Sequence, residues 1–281
     1  MSLLTLNLVV ADTSPVMQRI FQNVVAKSSL PVELTRCGNG KQCADLLMRG
    51  GVDIAFVEME LPDLSGIEVL RRARAAGVKS LIGLMALKNA MPSLTEAREL
   101  HAYEFLEKPF APAAIEAVIV NYRRLSAPMT VLMVDDSPTA RRVMRKVLAG
   151  SIFQMSLQDA GDGDAAIAAC EERPFDLVFL DCNMPGISGL ETLQELRKRN
   201  PAIRVIMISG DHREEVVRRA AELGAAAFLR KPFFTHDIDR ALHVAFDLRV
   251  PQLIAAEQAQ KLEHGYASLI ARKAQLAGGA A

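Results

Sequence analysis

Short runs of consecutive apolar residues alternate along this chain with longer stretches whose apolar positions recur every three or four residues. The first pattern predicts strands buried on both faces, the second amphipathic helices. Between residues 128 and 247 the apolar runs are Thr130 to Val134, Phe153 to Gln158, Leu177 to Leu180, Val205 to Ile208 and Ala226 to Leu229. Several are apolar throughout instead of alternating, as in a parallel sheet with helices on each side. Five strand–helix units of this kind predict an α/β, flavodoxin-like doubly wound domain. Its functional side chains would gather at the carboxyl ends of the strands.

The pattern is written twice. "FVEMELPDLSGIE", Phe56 to Glu68, lies 123 residues before its near twin "FLDCNMPGISGLE", Phe179 to Glu191. The same offset lays "VVADTSP" on "LMVDDSP", "CGNG" on "AGDG" and "FLEKPF" on "FLRKPF", with no gap between them. A period this long marks a duplicated domain, since solenoid units repeat every ~20–50 residues. The expected organisation is a domain over 1–125, a second over 128–247 with the break at Ser126 to Pro128, and a helical tail over 248–281.

Composition narrows the function classes. With 281 residues, half of them hydrophobic, the chain can bury two ordinary cores. Lys plus Arg and Asp plus Glu both number 33, so neither composition nor net charge marks a nucleic-acid-binding module. There is no P-loop and no GxGxxG fingerprint, so a nucleotide cofactor has no support. No segment approaches ~18 uninterrupted apolar residues, and the opening "MSLLTLNLVVAD" reaches Asp12 without a basic leader. The expectation is a cytoplasmic chain with no membrane role. Cys37, Cys43, Cys170 and Cys182 have no metal-ligand spacing and read as buried free thiols.

The second copy places polar residues at its strand ends: Asp135 and Asp136 after the first, Asp181 after the third, Ser209 after the fourth and Lys231 after the fifth. Singly, each has a structural reading as loop pair, helix cap or surface lysine. Jointly they converge on one cleft. Three clustered carboxylates repel one another and call for a cation among them, and a hard, oxygen-seeking Mg²⁺ suits them better than zinc. A metal, a lysine and a hydroxyl together can neutralise the oxygens of a phosphoryl group, and one aspartate would be its acceptor.

At these residues both copies resemble receiver domains of bacterial two-component response regulators, over about residues 5 to 247. The resemblance implies that Asp181 is the phosphoacceptor and that Ser209 and Lys231 bind phosphoryl oxygens. It also implies that Asp136, Asp181 and the Asn183 main-chain carbonyl hold Mg²⁺ while Asp135 acts through a bound water. Phe228 would be the aromatic switch residue, and the Lys231–Pro232 bond would be cis. The implied partners are a sensor histidine kinase or phosphotransfer protein and a downstream protein whose binding the switch changes. A homodimer is possible within this reading, and no enzymatic activity of its own is expected.

The first copy keeps Asp12 and Lys108, but Thr13, Glu58 and Ala86 stand where the second has Asp136, Asp181 and Ser209. Glutamate carries its carboxylate ~1.5 Å farther out, and in-line transfer tolerates ~1 Å of misplacement poorly. The first copy is therefore expected to be a degenerate receiver that is not phosphorylated. Either it serves only for packing or docking, or Glu58 pairs with Lys108 and stands in for the acyl phosphate.

Three alternatives stay open at this point: a truncated regulator lacking an output domain such as a diguanylate cyclase, a phosphate sink, and a haloacid-dehalogenase-like phosphatase. The last needs a second aspartate two positions after the nucleophile, where this chain has Asn183. In the tail, Pro251 suits a helix start. Ala255, Ala259, Leu262, Tyr266, Leu269, Lys273 and Leu276 form a heptad-like stripe weakened by Gly265. The tail would lie against its own domain, fray, dimerise, dock a partner or open a linker.

Overall fold

The computed structural model describes residues 5–88, 94–211 and 213–255. The chain divides into two compact units. One holds the chain up to Arg123 together with a short segment beginning at Pro251, and the other runs from Arg124 to Val250. Each contains one five-stranded, wholly parallel sheet alternating with helices. This is the flavodoxin-like fold.

The first unit is built from β1 (Leu6–Ala11), α1 (Pro15–Lys27), β2 (Val32–Cys37), α2 (Gly40–Arg49), β3 (Ile54–Glu58), α3 (Gly66–Ala75), β4 (Leu81–Leu87), α4 (Leu94–Glu99), β5 (Glu104–Lys108) and α5 (Pro112–Ser126). Its sheet order is β2-β1-β3-β4-β5. The second repeats the plan with β6 (Met129–Val134), α6 (Pro138–Ala149), β7 (Met155–Ala160), α7 (Gly163–Glu172), β8 (Leu177–Asp181), α8 (Gly189–Arg199), β9 (Val205–Ser209), α9 (Glu214–Glu222), β10 (Ala227–Arg230) and α10 (Thr235–Ala245). Its order is β7-β6-β8-β9-β10.

Burial follows strand position. β3, β8 and β9 are buried at every residue and the opposite edges β5 and β10 over their first three, whereas the edge strands β2 and β7 are buried only at their last residue. Serines start the helices that flank the strand ends. Ser14 and Ser137 cap α1 and α6 ahead of a first-turn proline, and Ser188 closes a reciprocal capping box with Glu191 on α8. These caps satisfy the first amides of each helix and fix the loops between them and the strands.

Two boundaries differ from the sequence pattern. The apolar run in the second copy begins at Phe153, but β7 begins at Met155. Phe153 is buried in the preceding turn, where its ring meets that of His243 edge-on at 5.2 Å, so packing against α10 explains its apolar character. The pattern carries the last helix to about Leu248, but α10 ends at Ala245. Asp247 adopts a left-handed φ of 55°, and the amides of Asp247 and Leu248 turn back onto the carbonyls of Val244 and His243.

After this turn comes α11 (Gln252–Ala255), which starts directly after Pro251 and packs on α4 and β5 of the first unit. Of the alternatives for the tail, the described part packs on the first repeat. The rest of the heptad-like stripe, Ala259 to Leu276, lies outside the described residues. Among those residues, no helix is long and apolar enough to cross a membrane, and the four cysteines are free.

Candidate functional site

In the second unit, β6 ends at Val134 and delivers Asp135 and Asp136 to the carboxyl edge of the sheet. β8 and β9 end on Asp181 and Ser209, and Lys231 follows β10 directly. Since β6, β8, β9 and β10 are consecutive neighbours, parallel pairing alone gathers all five residues. One oxygen from each of Asp135, Asp136 and Asp181 lies within 4.8 Å of the other two. Lys231 Nζ donates to Asp135 Oδ2 at 2.9 Å and approaches Asp181 Oδ1 to 2.8 Å. The Lys231–Pro232 bond is cis, as is Lys108–Pro109.

The cluster is held from behind. Ser137 N donates to Asp135 Oδ1 at 2.9 Å, and Asn183 N donates to Asp181 Oδ2 at 3.2 Å. Asp211 N donates to Ser209 Oγ at 2.9 Å. Gly189 opens α8 against β8: a Cβ there would lie 2.0 Å from the Asp181 carbonyl oxygen, so only glycine permits this approach. Asp135, Asp181 and Ser209 are buried, whereas Asp136 and Asn183 are exposed. The pocket therefore has a dry floor and a wet rim.

Burial raises the Asp181 carboxyl above its ordinary pKa; Asp135 adds to that rise and Lys231 opposes it. Burial also works against the Lys231 charge, but its hydrogen bonds to Asp181 and Asp135 outweigh this and raise its pKa. Oxygen-only donors, three of them anionic, with solvent at the rim, suit a hard divalent cation that keeps several waters.

The first unit repeats this framework with different side chains. Ser14 N donates to Asp12 Oδ1 at 2.7 Å, as Ser137 does to Asp135. Gln18 Nε2 donates to the Asp12 carbonyl at 2.8 Å, and Arg141 Nη1 makes the equivalent bond to Asp135 at 2.5 Å. Lys108 Nζ donates to Asp12 Oδ2 at 2.7 Å and is paired with Glu58 Oε2, while Glu58 Oε1 accepts from Met59 N at 3.1 Å. Ala86 is fully buried and Thr13 is exposed.

The model for the response regulator receiver domain matches residues 8–120 and again 131–243. The chain belongs to the response regulator receiver family. Its two receivers are in tandem, each coinciding with one five-stranded unit. Among curated relatives, the nitrate/nitrite response regulator NarL of Escherichia coli K12 is 35% identical over 118 residues, 42% of this chain and 55% of NarL. The chain thus spans about half the length of that relative. Chemotaxis protein CheY-3 of Vibrio cholerae is 31% identical over 125 residues, 44% of this chain and 95% of CheY-3. A solved two-component response regulator/GGDEF domain protein shares the fold with a TM-score of 0.62 at 20% identity, over 86% of this chain and 98% of that one.

Within the second receiver, the structure gathers Asp135, Asp136, Asp181, Ser209 and Lys231, and it leaves Asn183 on the exposed rim beside them. Phe228, on β10, is buried in a cluster with Val205, Met207, Val217 and Ala220; Phe105 is buried at the matching place in the first receiver. Three contributors were not placed at the site from sequence, although Cys182 was read there as a buried free thiol. Arg141 ties α6 to the main chain of Asp135. Cys182 is buried next to Asp181 and hydrogen-bonded to Ser209; burial pushes its thiol up to about 12, which keeps it protonated and inert. Gly189 permits the tight packing described above. Of these, Gly189 left a signal of its packing role, as half of the repeated "SG" pair, and Cys182 one of its burial but not of its place.

Proposed function

We propose that the chain is a two-component response regulator whose second receiver accepts a phosphoryl group on Asp181. The donor is a sensor histidine kinase or a phosphotransfer protein, and phosphorylation changes the binding of a downstream protein. The observation that carries this reading is the place of Asp181: it ends a buried strand, within reach of Lys231 and among two further carboxylates.

In transfer, an Asp181 carboxylate oxygen attacks phosphorus and the bond to the donor's leaving group breaks, giving an acyl phosphate. Lys231 is positioned to follow the charge from the carboxylate onto the phosphoryl oxygens, and Ser209 Oγ to donate a hydrogen bond to one of them. Asp135, Asp136, Asp181 and the Asn183 carbonyl would hold Mg²⁺, which when bound supplies positive charge and offsets the mutual repulsion of the carboxylates. Phe228 is assigned the switch position: movement of Ser209 toward the phosphate would alter the packing under Phe228 and the surface of α9, β10 and α10.

The first receiver is proposed not to accept phosphate. It lacks the second acid and the hydroxyl, and Lys108 is already engaged by Glu58 and Asp12. The Glu58–Lys108 pair favours the reading in which this ion pair holds the arrangement that an acyl phosphate would otherwise impose. A second overall reading, a regulator that drives an output domain of the nucleotide-cyclising kind, draws on the fold match to the response regulator/GGDEF domain protein.

The test is intact mass after incubation with a small acyl-phosphate donor and Mg²⁺. One phosphoryl group on the wild type and none on Asp181→Asn is expected. Two groups on the wild type, or one retained in Asp181→Asn, would reject the assignment.

A further inference from the structure

The segment Pro251–Ala255 belongs to the first compact unit although it follows the second receiver in sequence. Leu253 is 3% exposed and joins the apolar cluster that contains Ala97, Ala102 and Phe105. Two polar contacts fix the backbone on either side of this anchor. Gln252 N donates to Glu104 Oε1 at 2.9 Å, and Arg98 Nε donates to the Leu253 carbonyl at 3.2 Å. Glu104 is wholly buried on β5, and its Oε1 also accepts from Phe105 N at 2.9 Å. A buried carboxylate is costly without donors, so the amide of Gln252 is part of what makes glutamate tolerable there.

The repeat supplies an internal control. At the offset of 123, Ala97, Leu100 and Ala102 fall on Ala220, Leu223 and Ala225, so the apolar floor is common to both receivers. Arg98 and Glu104 fall on Ala221 and Ala227. Both side chains that grip the segment thus occur only in the copy that carries it. The end of α4 is also fixed: Arg74 Nε donates to the Leu100 carbonyl at 3.2 Å and Arg74 Nη2 to that of His101 at 3.0 Å. The place that receives Leu253 is therefore braced from within the first receiver.

We infer that the α4–β5 face of the first receiver is a docking surface for the chain's own segment Pro251–Ala255, specified by Arg98 and Glu104 around an apolar socket for Leu253. The first receiver then has a role that needs no phosphate: it holds the stretch that leaves the second receiver. Another protein can use this face only by displacing Leu253. This conclusion stands apart from the Asp181 assignment, because it rests on the packing of the first receiver alone.

Hydrogen–deuterium exchange of the full chain tests it. In the wild type, the amides of Gln252, Ile254 and Ala255 should exchange more slowly than in an unstructured peptide of the same sequence. Ile254 and Ala255 also bond to the Pro251 carbonyl, so their protection reports the seated turn. In Arg98→Ala/Glu104→Ala, which gives the first receiver the residues the second already has at those positions, exchange in this segment should rise about tenfold. Peptides from β1 and β3 report that the receiver is still folded. Should that pair of substitutions unfold it, Leu253→Ala provides the same comparison from the segment's side. Segment amides unprotected in the wild type, or equally protected in the variants with β1 and β3 intact, would overturn the inference.

Discussion

The two receivers hold the same lysine against two carboxylates, yet the pockets differ in what they leave open. In the first, Lys108 is only 13% exposed and is engaged by Asp12 and Glu58. In the second, Lys231 is 34% exposed, bridges Asp135 and Asp181, and faces a third acid on the rim. The framework behind them barely changes: the serine amides, the bond from α1 or α6 to the first aspartate and the close glycine approach are all repeated. One fold therefore supports either a closed ion pair or an open acidic cleft, and the choice rests on a few side chains at the strand ends.

The largest expected effect comes from converting one pocket into the other. Glu58→Asp alone should leave phosphoryl uptake at one group per chain, because the second acid and the hydroxyl are still missing. Thr13→Asp/Glu58→Asp/Ala86→Ser should raise it to two, read by intact mass with an acyl-phosphate donor and Mg²⁺. Uptake by the single variant would mean that carboxylate reach alone separates the pockets.

A smaller effect probes the closed pair. Lys108→Met leaves Asp12 and Glu58 buried together without their cation, which should destabilise the first receiver by about 3 kcal/mol, the low end for breaking a buried pair. Lys231→Met should cost about 1 kcal/mol, because its site is wetter. Urea unfolding followed by hydrogen exchange in peptides from β3 and β8 reads the two receivers separately. Equal losses would mean that the difference in exposure has no energetic counterpart.

The glycines that seat α3 and α8 give a third comparison. A methyl group at Gly189 would lie 2.0 Å from the Asp181 carbonyl oxygen, and one at Gly66 2.5 Å from that of Glu58. Backbone cannot yield as a side-chain tip can, so Gly189→Ala should cost about 2–3 kcal/mol and Gly66→Ala somewhat less. The same peptide-resolved unfolding checks both. A neutral Gly189→Ala would show that α8 can move off β8 freely.

Much of this was legible beforehand because the sheets are buried on both faces. An uninterrupted apolar run as short as Leu177 to Leu180, bounded by polar residues, suits a strand covered on both sides, and the polar residues that end such runs mark the site. Most of what escaped depends on contacts between parts of the chain far apart in sequence. Phe153 read as strand because packing against His243, 90 residues later, makes the same demand for an apolar side chain. The end of α10 was placed late because Asp247 enters the left-handed region, where aspartate is tolerated but not signalled. The seating of Leu253 depends on Arg98 and Glu104, about 150 positions earlier, and no periodicity connects them.

The effect that is smallest at any one step of pH concerns a pair found only in the second receiver. Asp239 and His243 on α10 are buried, whereas their repeat counterparts Glu116 and Val120 are exposed. Burial pushes the Asp239 carboxyl up to about 7, opposed by hydrogen bonds from Ser151 Oγ and Ile152 N. Burial lowers His243 to about 4, and its ring meets the Asp239 carbonyl through Nδ1 and the Phe153 ring edge-on. Between about pH 6.5 and 4 the unfolded chain protonates this histidine and the folded chain does not, so its contribution falls as pH falls. The aspartate behaves in the opposite sense: the folded carboxyl keeps its proton between about pH 4 and 7, so its contribution falls as pH rises. In the wild type the two trends oppose each other across most of this range. Asp239→Asn removes one of them, and relative to the wild type the second receiver should lose about 1 kcal/mol for each unit of acidification from pH 6.5 to 4.5. The β3 peptide of the first receiver should not respond to the substitution. A variant whose pH dependence parallels that of the wild type would mean that burial does not keep the Asp239 carboxyl protonated in the folded chain, and the contrast between the two last helices would lose its electrostatic content.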